Sequence, residues 1–199
     1  MDHRIKNLFA VTSGMIAMSA RSARTPVELS SALRDRLMAL AQAHALTLAV
    51  PSNGSRRREK STTLHALIEK ILSPYHGHTD AGGARVTISG PDVPIADSSV
   101  TSFALLLHEF ATNAAKYGAL SNSTGHIDIA CSEDDGEFAL KWTERGGPRV
   151  DHHADGDGFG TLLAQATIKG QFAGDIHRDW KPEGLTIRLT LARDRIAAG

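Results

Sequence analysis

Glu109, Asn113 and Lys116 fall at i, i+4 and i+7 within the run Leu106–Gly118, so a helix there sets a carboxylate, a carboxamide and an ammonium on one face. That set suits a metal–phosphate complex. Asn offers Mg²⁺ a neutral oxygen that does not repel phosphates, and Lys places a point charge on a phosphoryl oxygen. The polar outer face of an ordinary amphipathic helix has the same composition, and on their own these residues do not separate the two readings.

Other stretches carry chemistry of a compatible kind. Gly156, Gly158 and Gly160 lie between a polar loop and a helix pattern, where free backbone N–H groups and a helix N-terminus can face an anion. No Gly-Lys-Ser/Thr follows, so this is not a P-loop, and no βαβ unit surrounds it as a dinucleotide fingerprint requires. Glu144, two residues before Gly146, can accept a hydrogen bond from an exocyclic amine such as that of adenine; a solvated strand-end Glu is the plainer alternative. His3, with Lys6 and Asn7 one turn on, is an imidazole that can attack a phosphoryl group. His76-Gly77-His78 and His152-His153 lack carboxylate or thiolate partners at zinc-site spacing.

The elements that must position these residues follow from periodicity. Ile5, Leu8, Thr12, Met15 and Ser19 mark a helix over 2–22. Thr25-Pro26-Val27-Glu28 is a capping box with Pro at N1, and it opens a second helix to about Ala45 with Leu29, Leu33, Leu37, Leu40 and His44 as its stripe. Two helices bury too little to stand alone, so the hairpin is expected to dimerise into a four-helix bundle. Residues 51–60 read as a polar, basic linker. A short helix carries Leu64 to Leu72 and ends at Pro74; Arg85–Ser89 alternates as a strand, and Val93–Ala96 is expected as a short edge strand. The helix of about 98–117 has Val100, Phe103, Leu107, Ala111 and Ala114 as its buried stripe, Asp97 or Ser98 as cap, and Gly118 as a left-handed C-cap. His126–Cys131 and Glu137–Trp142 form a hairpin about Asp134-Asp135-Gly136. A helix from Gly158 and strands near 173–180 and 184–191 close the chain. This order predicts an α+β layer: a mixed sheet covered on one face by helices.

Composition sets limits. Lys+Arg and Asp+Glu are both 22 in 199 residues, so there is no basic excess of the kind nucleic-acid binding needs. Cys131 is the single cysteine, which excludes a disulfide framework and fits a reducing compartment. No apolar run approaches the roughly 20 residues of a membrane span, and Met1-Asp2-His3-Arg4 leads into a helix pattern without a signal-peptide core. The expected location is the cytoplasm.

Taken together, the motifs resemble the successive boxes of the HWE family of sensor histidine kinases. The matching stretches are His3-Arg4-Ile5-Lys6-Asn7, His108–Ser121, Trp142-Thr143-Glu144-Arg145-Gly146-Gly147-Pro148 and Gly158-Phe159-Gly160-Thr161-Leu162-Leu163. The family takes its name from a His in the asparagine box and a Trp-x-Glu in the first glycine box, and His108, Trp142 and Glu144 match both. The resemblance implies a dimerisation and phosphoacceptor hairpin over 1–50, a linker over 51–60, and a catalytic ATP-binding domain of the Bergerat α/β-sandwich type over 61–192. It implies His3 as phosphoacceptor, with Asn7 one turn below it able to orient a water for the reverse reaction. Asn113 would ligate Mg²⁺ with Glu109 beside it, and Lys116 and Tyr117 would contact ATP. Glu144 would read the adenine amine with Gly146 and Gly147 after it, and Gly158, Phe159, Gly160 and Thr161 would line the phosphates. The loop Arg149–Asp157 would be a short ATP lid. His108 would sit at or behind the nucleotide.

The implied reaction is autophosphorylation of His3 from Mg-ATP, followed by transfer to an aspartate of a response-regulator receiver domain. Arg4 stands where many histidine kinases have an acidic residue, which leaves Asp2, Glu109 and solvent as candidate bases. Thr186 falls one position later than the threonine that often follows the closing glycine, here Gly184. The chain begins almost at His3, so sensing is expected from a missing domain or a separate sensory protein. A phosphotransfer or adaptor protein without turnover, and an ATPase of the same fold, remain the alternative readings.

Overall fold

The computed structural model describes residues 12–21, 23–48, 62–149 and 159–197. His3, Asn7, the expected linker, and residues 150–158 with Gly156 and Gly158 lie outside them. Helical residues 12–21 (α1) and α2 (Pro26–Leu48) form the hairpin. The chain continues through α3 (Leu64–Leu72), β1 (Val86–Ser89), α4 (Asp97–Lys116), β2 (His126–Asp134) and β3 (Glu137–Arg145). It then runs through α5 (Phe159–Gln165) with a π-helical extension (Ala166–Gln171), β4 (Asp175–Lys181), β5 (Gly184–Ala192) and a short α6 (Arg193–Ala197). None of the described helices is long and apolar enough to cross a membrane.

The strands form one sheet in the order β1-β2-β3-β5-β4, parallel between β1 and β2 and antiparallel elsewhere. Alternation decides its faces. Phe138, Leu140 and Trp142 of β3 and Ile187, Leu189 and Leu191 of β5 turn inward and are buried, while Lys141 and Arg188 between them are exposed. Helices α3 and α4 supply the opposing layer with Leu64, Leu67, Ile68, Phe103, Leu107 and Ala111, all fully buried. Phe103 stacks on Phe172 at 4.5 Å, joining the π-helical segment to this core. The expected α+β layer is therefore the observed one.

Several local expectations are revised. The β2–β3 turn is Asp135-Gly136, both at positive φ (41° and 81°), and Asp134 pairs with Glu137 as the last rung. This two-residue turn matches the twist of its strands and lets both run longer than expected. Val93–Ala96 is no edge strand: it makes one isolated bridge, Pro94 to Thr63, because Val93 O and Ile95 N bond to the segment entering α3. Pro74 lies inside a 3₁₀ turn that prolongs α3. Neither Asp97 nor Ser98 caps α4; Ala96 takes the N-cap without a side-chain bond and Asp97 is the first helical residue. At the other end Tyr117 is the C-cap, and Gly118 has φ −112°, not the left-handed value.

The hairpin differs most. Half of its capping box forms as expected, with Glu28 N–H donating to Thr25 Oγ1 at 3.1 Å; Glu28 Oε2 reaches back one residue further, to Arg24 N–H at 2.9 Å, and α2 runs three residues past Ala45 to Leu48. The face that packs on α3 and α4, however, is Arg36, Ala39, Leu40 and Ala43, all buried. Leu29 and Leu33 are only half-buried, Leu37 is 48% exposed and His44 is exposed. Alanines let helix backbones approach closely, so Ala39 and Ala43 meet the domain together with Leu40, Leu33 packs beside the Met15–Leu40–Leu105 cluster, and Leu37 of the expected stripe is left outward.

Candidate functional site

The face of α4 that carries Glu109, Asn113 and Lys116 begins one turn earlier, at Leu105. Leu105 is buried against Met15 of α1 and Leu40 of α2, so the hairpin covers the first half of this face. Glu109 falls under that cover and is 6% exposed. Its Oε1 accepts from Arg36 Nε at 2.8 Å; Arg36 Nη1 donates to Ser19 Oγ at 3.0 Å, and Ser19 Oγ donates to Met15 O at 2.6 Å. Both hairpin helices are thus tied to α4 through one buried ion pair. Asn113 and Lys116 lie past the edge of the cover and are exposed, as is Tyr117 at 74%. The three residues expected to act together are divided: Asn113 and Lys116 stay open to a ligand, and Glu109 is committed to Arg36.

His108 is half-buried beside this junction. Burial lowers its imidazole pKa most, opposed by Glu109 and Asp35 and reinforced by Arg36 and Lys116. Its electrostatic neighbours are therefore largely those of the α2–α4 contact.

The second half of the site lies where α4 ends. Glu144, 4% exposed on β3, accepts from the backbone N–H of Ala119 at 2.9 Å through Oε2 and from Trp142 Nε1 at 3.1 Å through Oε1. Burial raises its pKa, and the two donated hydrogen bonds act in the opposite direction. A Cβ on Gly118 would stand 2.0 Å from Glu144 Oε2, so glycine here permits the approach of the carboxylate. Gly146 has φ +72° and ends the strand; its carbonyl accepts from Thr124 Oγ1 at 2.9 Å. Gly147 lies against Gly118 and Ala119, where a Cβ would come to 2.8 Å. Arg85 holds the intervening loop by donating to Leu120 O, Asn122 O and Gly125 O at 3.1, 2.5 and 3.4 Å.

The structure thus brings Asn113, Lys116, Tyr117, Glu144, Gly146 and Gly147 around one corner, formed by the end of α4 and the end of β3. Phe159 and Gly160 open α5, and Thr161 is half-buried on it. The sequence offered no sign of Arg36 and Ser19 as partners of Glu109, nor of Ala119 and Arg85 as supports of Glu144. The one available signal was Leu105, an apolar residue four positions before Glu109 on a face read as polar.

Residues 1–92 match the HWE histidine kinase family model. Over 96% of its length the chain is 36% identical to blue-light-activated histidine kinase 1 of Erythrobacter litoralis, of which it covers 51%. Over 94% of its length it is 32% identical to the blue-light-activated histidine kinase of Brucella anthropi, of which it covers 37%. The chain therefore spans about half, or less, of these relatives. A solved blue-light activated histidine kinase of Erythrobacter litoralis superposes with a TM-score of 0.67 at 15% identity, covering 97% of this chain and 60% of that one. The isolated histidine kinase domain of that protein superposes with a TM-score of 0.58 at 13% identity, covering 95% of this chain and 99% of the domain. At such identities the superpositions speak to the fold.

Proposed function

We propose that the chain is an ATP-dependent protein histidine kinase, on the premise that residues 1–92 match the HWE histidine kinase family model and that nearly its whole length aligns with histidine kinases. The observation that carries the proposal is the corner where α4 meets β3. An exposed Asn113 and Lys116 lie six and three positions before Ala119, whose N–H holds the buried, doubly bonded Glu144, which is one place for phosphates and another for a base.

In this reading residues 1–50 are the phosphoacceptor hairpin, 51–60 the linker and 61–192 the ATP-binding domain. Lys116 and Tyr117 hold ATP, Glu144 accepts from the adenine amine, and Gly146 and Gly147 shape the turn beside it. Phe159, Gly160 and Thr161, at the start of α5, are assigned to the phosphates through backbone N–H groups, and Gly158, which precedes them in the chain, is assigned with them. The donor set fits Mg²⁺: Asn113 presents an exposed neutral oxygen, and the bound ion would neutralise charge on the phosphates. Phosphoryl transfer depends on positioning and charge stabilisation more than on covalent help. The His3 imidazole attacks the γ-phosphorus, ADP leaves, and the imidazole proton passes to Asp2, Glu109 or solvent. Glu109 is available for that role only in a state where Arg36 has released it. Asn7 serves the reverse, water-dependent reaction, and His108 backs the site from the hairpin side.

The phosphoryl group then passes to an aspartate of a response-regulator receiver domain, in the cytoplasm, under control of a sensor domain or sensory protein. A homodimer through the hairpin is supported by an open apolar groove on α2, lined by Leu29, Leu33, Leu37 and Met38. The test of the kinase reading is incubation with γ-labelled ATP and Mg²⁺, comparing wild type, His3→Ala and Asn113→Ala. Acid-labile label is expected on wild type alone. Label surviving His3→Ala would remove the phosphoacceptor assignment, and failure of wild type to bind ATP would remove the kinase reading.

A further inference from the structure

Trp142 and Glu144 lie two residues apart on β3 and therefore point to the same, helix-facing side. Trp142 is fully buried and meets Phe110 edge-on at 5.7 Å. Packing alone would be served by any large apolar residue. What packing does not account for is the direction of the indole N–H, which donates to Glu144 Oε1 at 3.1 Å while the Ala119 N–H donates to Oε2 at 2.9 Å. Each carboxylate oxygen is fixed by one donor, and each keeps acceptor capacity beyond that bond. A glutamate has one more rotatable bond than an aspartate, so a Glu that must present one oxygen at one place needs this restraint more. Gly118 closes the socket on a third side, since a Cβ there would overlap Oε2 at 2.0 Å.

We propose that Trp142 is a positioning residue for Glu144: its indole N–H, acting with the Ala119 N–H, holds the carboxylate so that a remaining lone pair meets the exocyclic amine of adenine. This rests on the reading of Glu144 as the residue that recognises the base. The restraint sets specificity, because a base carrying a carbonyl oxygen in place of that amine sets an acceptor against an immobile acceptor.

The experiment measures equilibrium binding of ATP and of ITP, which carries that carbonyl, to the purified chain. It compares wild type, W142F, G118A, E144Q and the W142F/E144Q double variant, with thermal melting to establish that each is folded. W142F is expected to weaken ATP about ten-fold or more and ITP far less, so that the ATP-to-ITP preference falls. In the E144Q background the same change is expected to alter ATP binding less than about two-fold, the signature of two residues acting through one contact. G118A, which displaces the carboxylate without touching the indole, is expected to lower the preference as well. Equal losses for ATP and ITP in W142F would show a merely structural tryptophan and overturn the inference. E144Q weakened for ATP while folded W142F and G118A keep the wild-type preference would overturn it too, with Glu144's role intact. E144Q binding both nucleotides as wild type would remove the base-reading role itself. Should W142F not fold, an unchanged preference in G118A beside a weakened E144Q decides against the proposal.

Discussion

Replacing Arg36 by Met removes the cation from a pair whose side chains are 9% and 8% exposed. Glu109 is left buried with its Arg36 donor gone, and losing one partner of a buried ion pair costs about 3–5 kcal/mol. The chain could escape that cost by lifting the hairpin off α4 so that water reaches Glu109. Lifting would expose Met15, Leu40 and Leu105, which are 3%, 8% and 1% exposed. At about 1.5–3 kcal/mol for each such side chain, this comes to roughly 5–9 kcal/mol, more than the penalty it would relieve. The hairpin should therefore stay docked and the loss should appear in global stability. For a chain of this size each kcal/mol shifts the melting temperature by about 2–4 °C, so a fall on the order of 10 °C is expected. The double variant R36M/E109M should recover most of it, since an apolar pair of similar volume replaces a buried ion pair at little cost. Calorimetry or melting by circular dichroism measures all four members of the cycle, and added salt should change the coupling little because the pair is screened from solvent. A single variant melting within about 1 °C of wild type, or a double variant no more stable than R36M, would refute the reasoning.

Burial lowers the pKa of His108 below its unfolded value of about 6.5, so its neutral form contributes stability above that value which is lost as pH falls through the folded pKa. Urea unfolding from pH 8 to pH 5 should show a shallower decline for His108→Gln than for wild type; equal slopes would contradict the assignment. Burial, aided by Asp92, raises the Cys131 thiol to about 11, and maleimide should label the native chain on the order of a hundred-fold more slowly than the urea-unfolded chain. Comparable rates would show that this strand opens freely. Leu37→Glu places a charge in the outward groove of α2 without touching the core, so sedimentation should show the proposed hairpin dimer weakened by about ten-fold or more while melting of the monomer is unchanged; an unaltered dimer would place the interface elsewhere.

Most helices and strands are legible because they rest on local chemistry; Val93–Ala96 is not, because the segment entering α3 takes its backbone groups. Thr25, Pro26 and Glu28 start α2 wherever the helix sits, and Asp135-Gly136 turns a hairpin from its own backbone preferences. The corner where α4 meets β3 was legible as a set of residue types, Asn113 and Lys116 on one element and Glu144 on another. Gly118 has the local look of a helix stop, but its smallness serves Glu144, 26 positions on. His108 and Trp142 stood out as residue types at marked positions, but only their neighbours give them a physical setting: the α2–α4 junction for one and the Glu144 carboxylate for the other.

The sequence by itself determined which residues share a face. The periods of 3.6 and 2.0 fix directions within an element, and no later packing changes them. It therefore determined that Leu105, Glu109, Asn113 and Lys116 form one row, and that α2 has a leucine side and an alanine side. Only the tertiary structure decided what covers each side. The hairpin meets α4 with Arg36, Ala39, Leu40 and Ala43, leaves Leu37 and Met38 outward, and stops between Glu109 and Asn113, so one carboxylate becomes a buried tie and the next polar residue of the row stays exposed. That boundary is set by contacts such as Arg36 to Glu109, 73 positions apart. A periodicity read over a few turns carries no information at that range, because the free energy that selects the covered face is summed over surfaces that only the folded chain brings together.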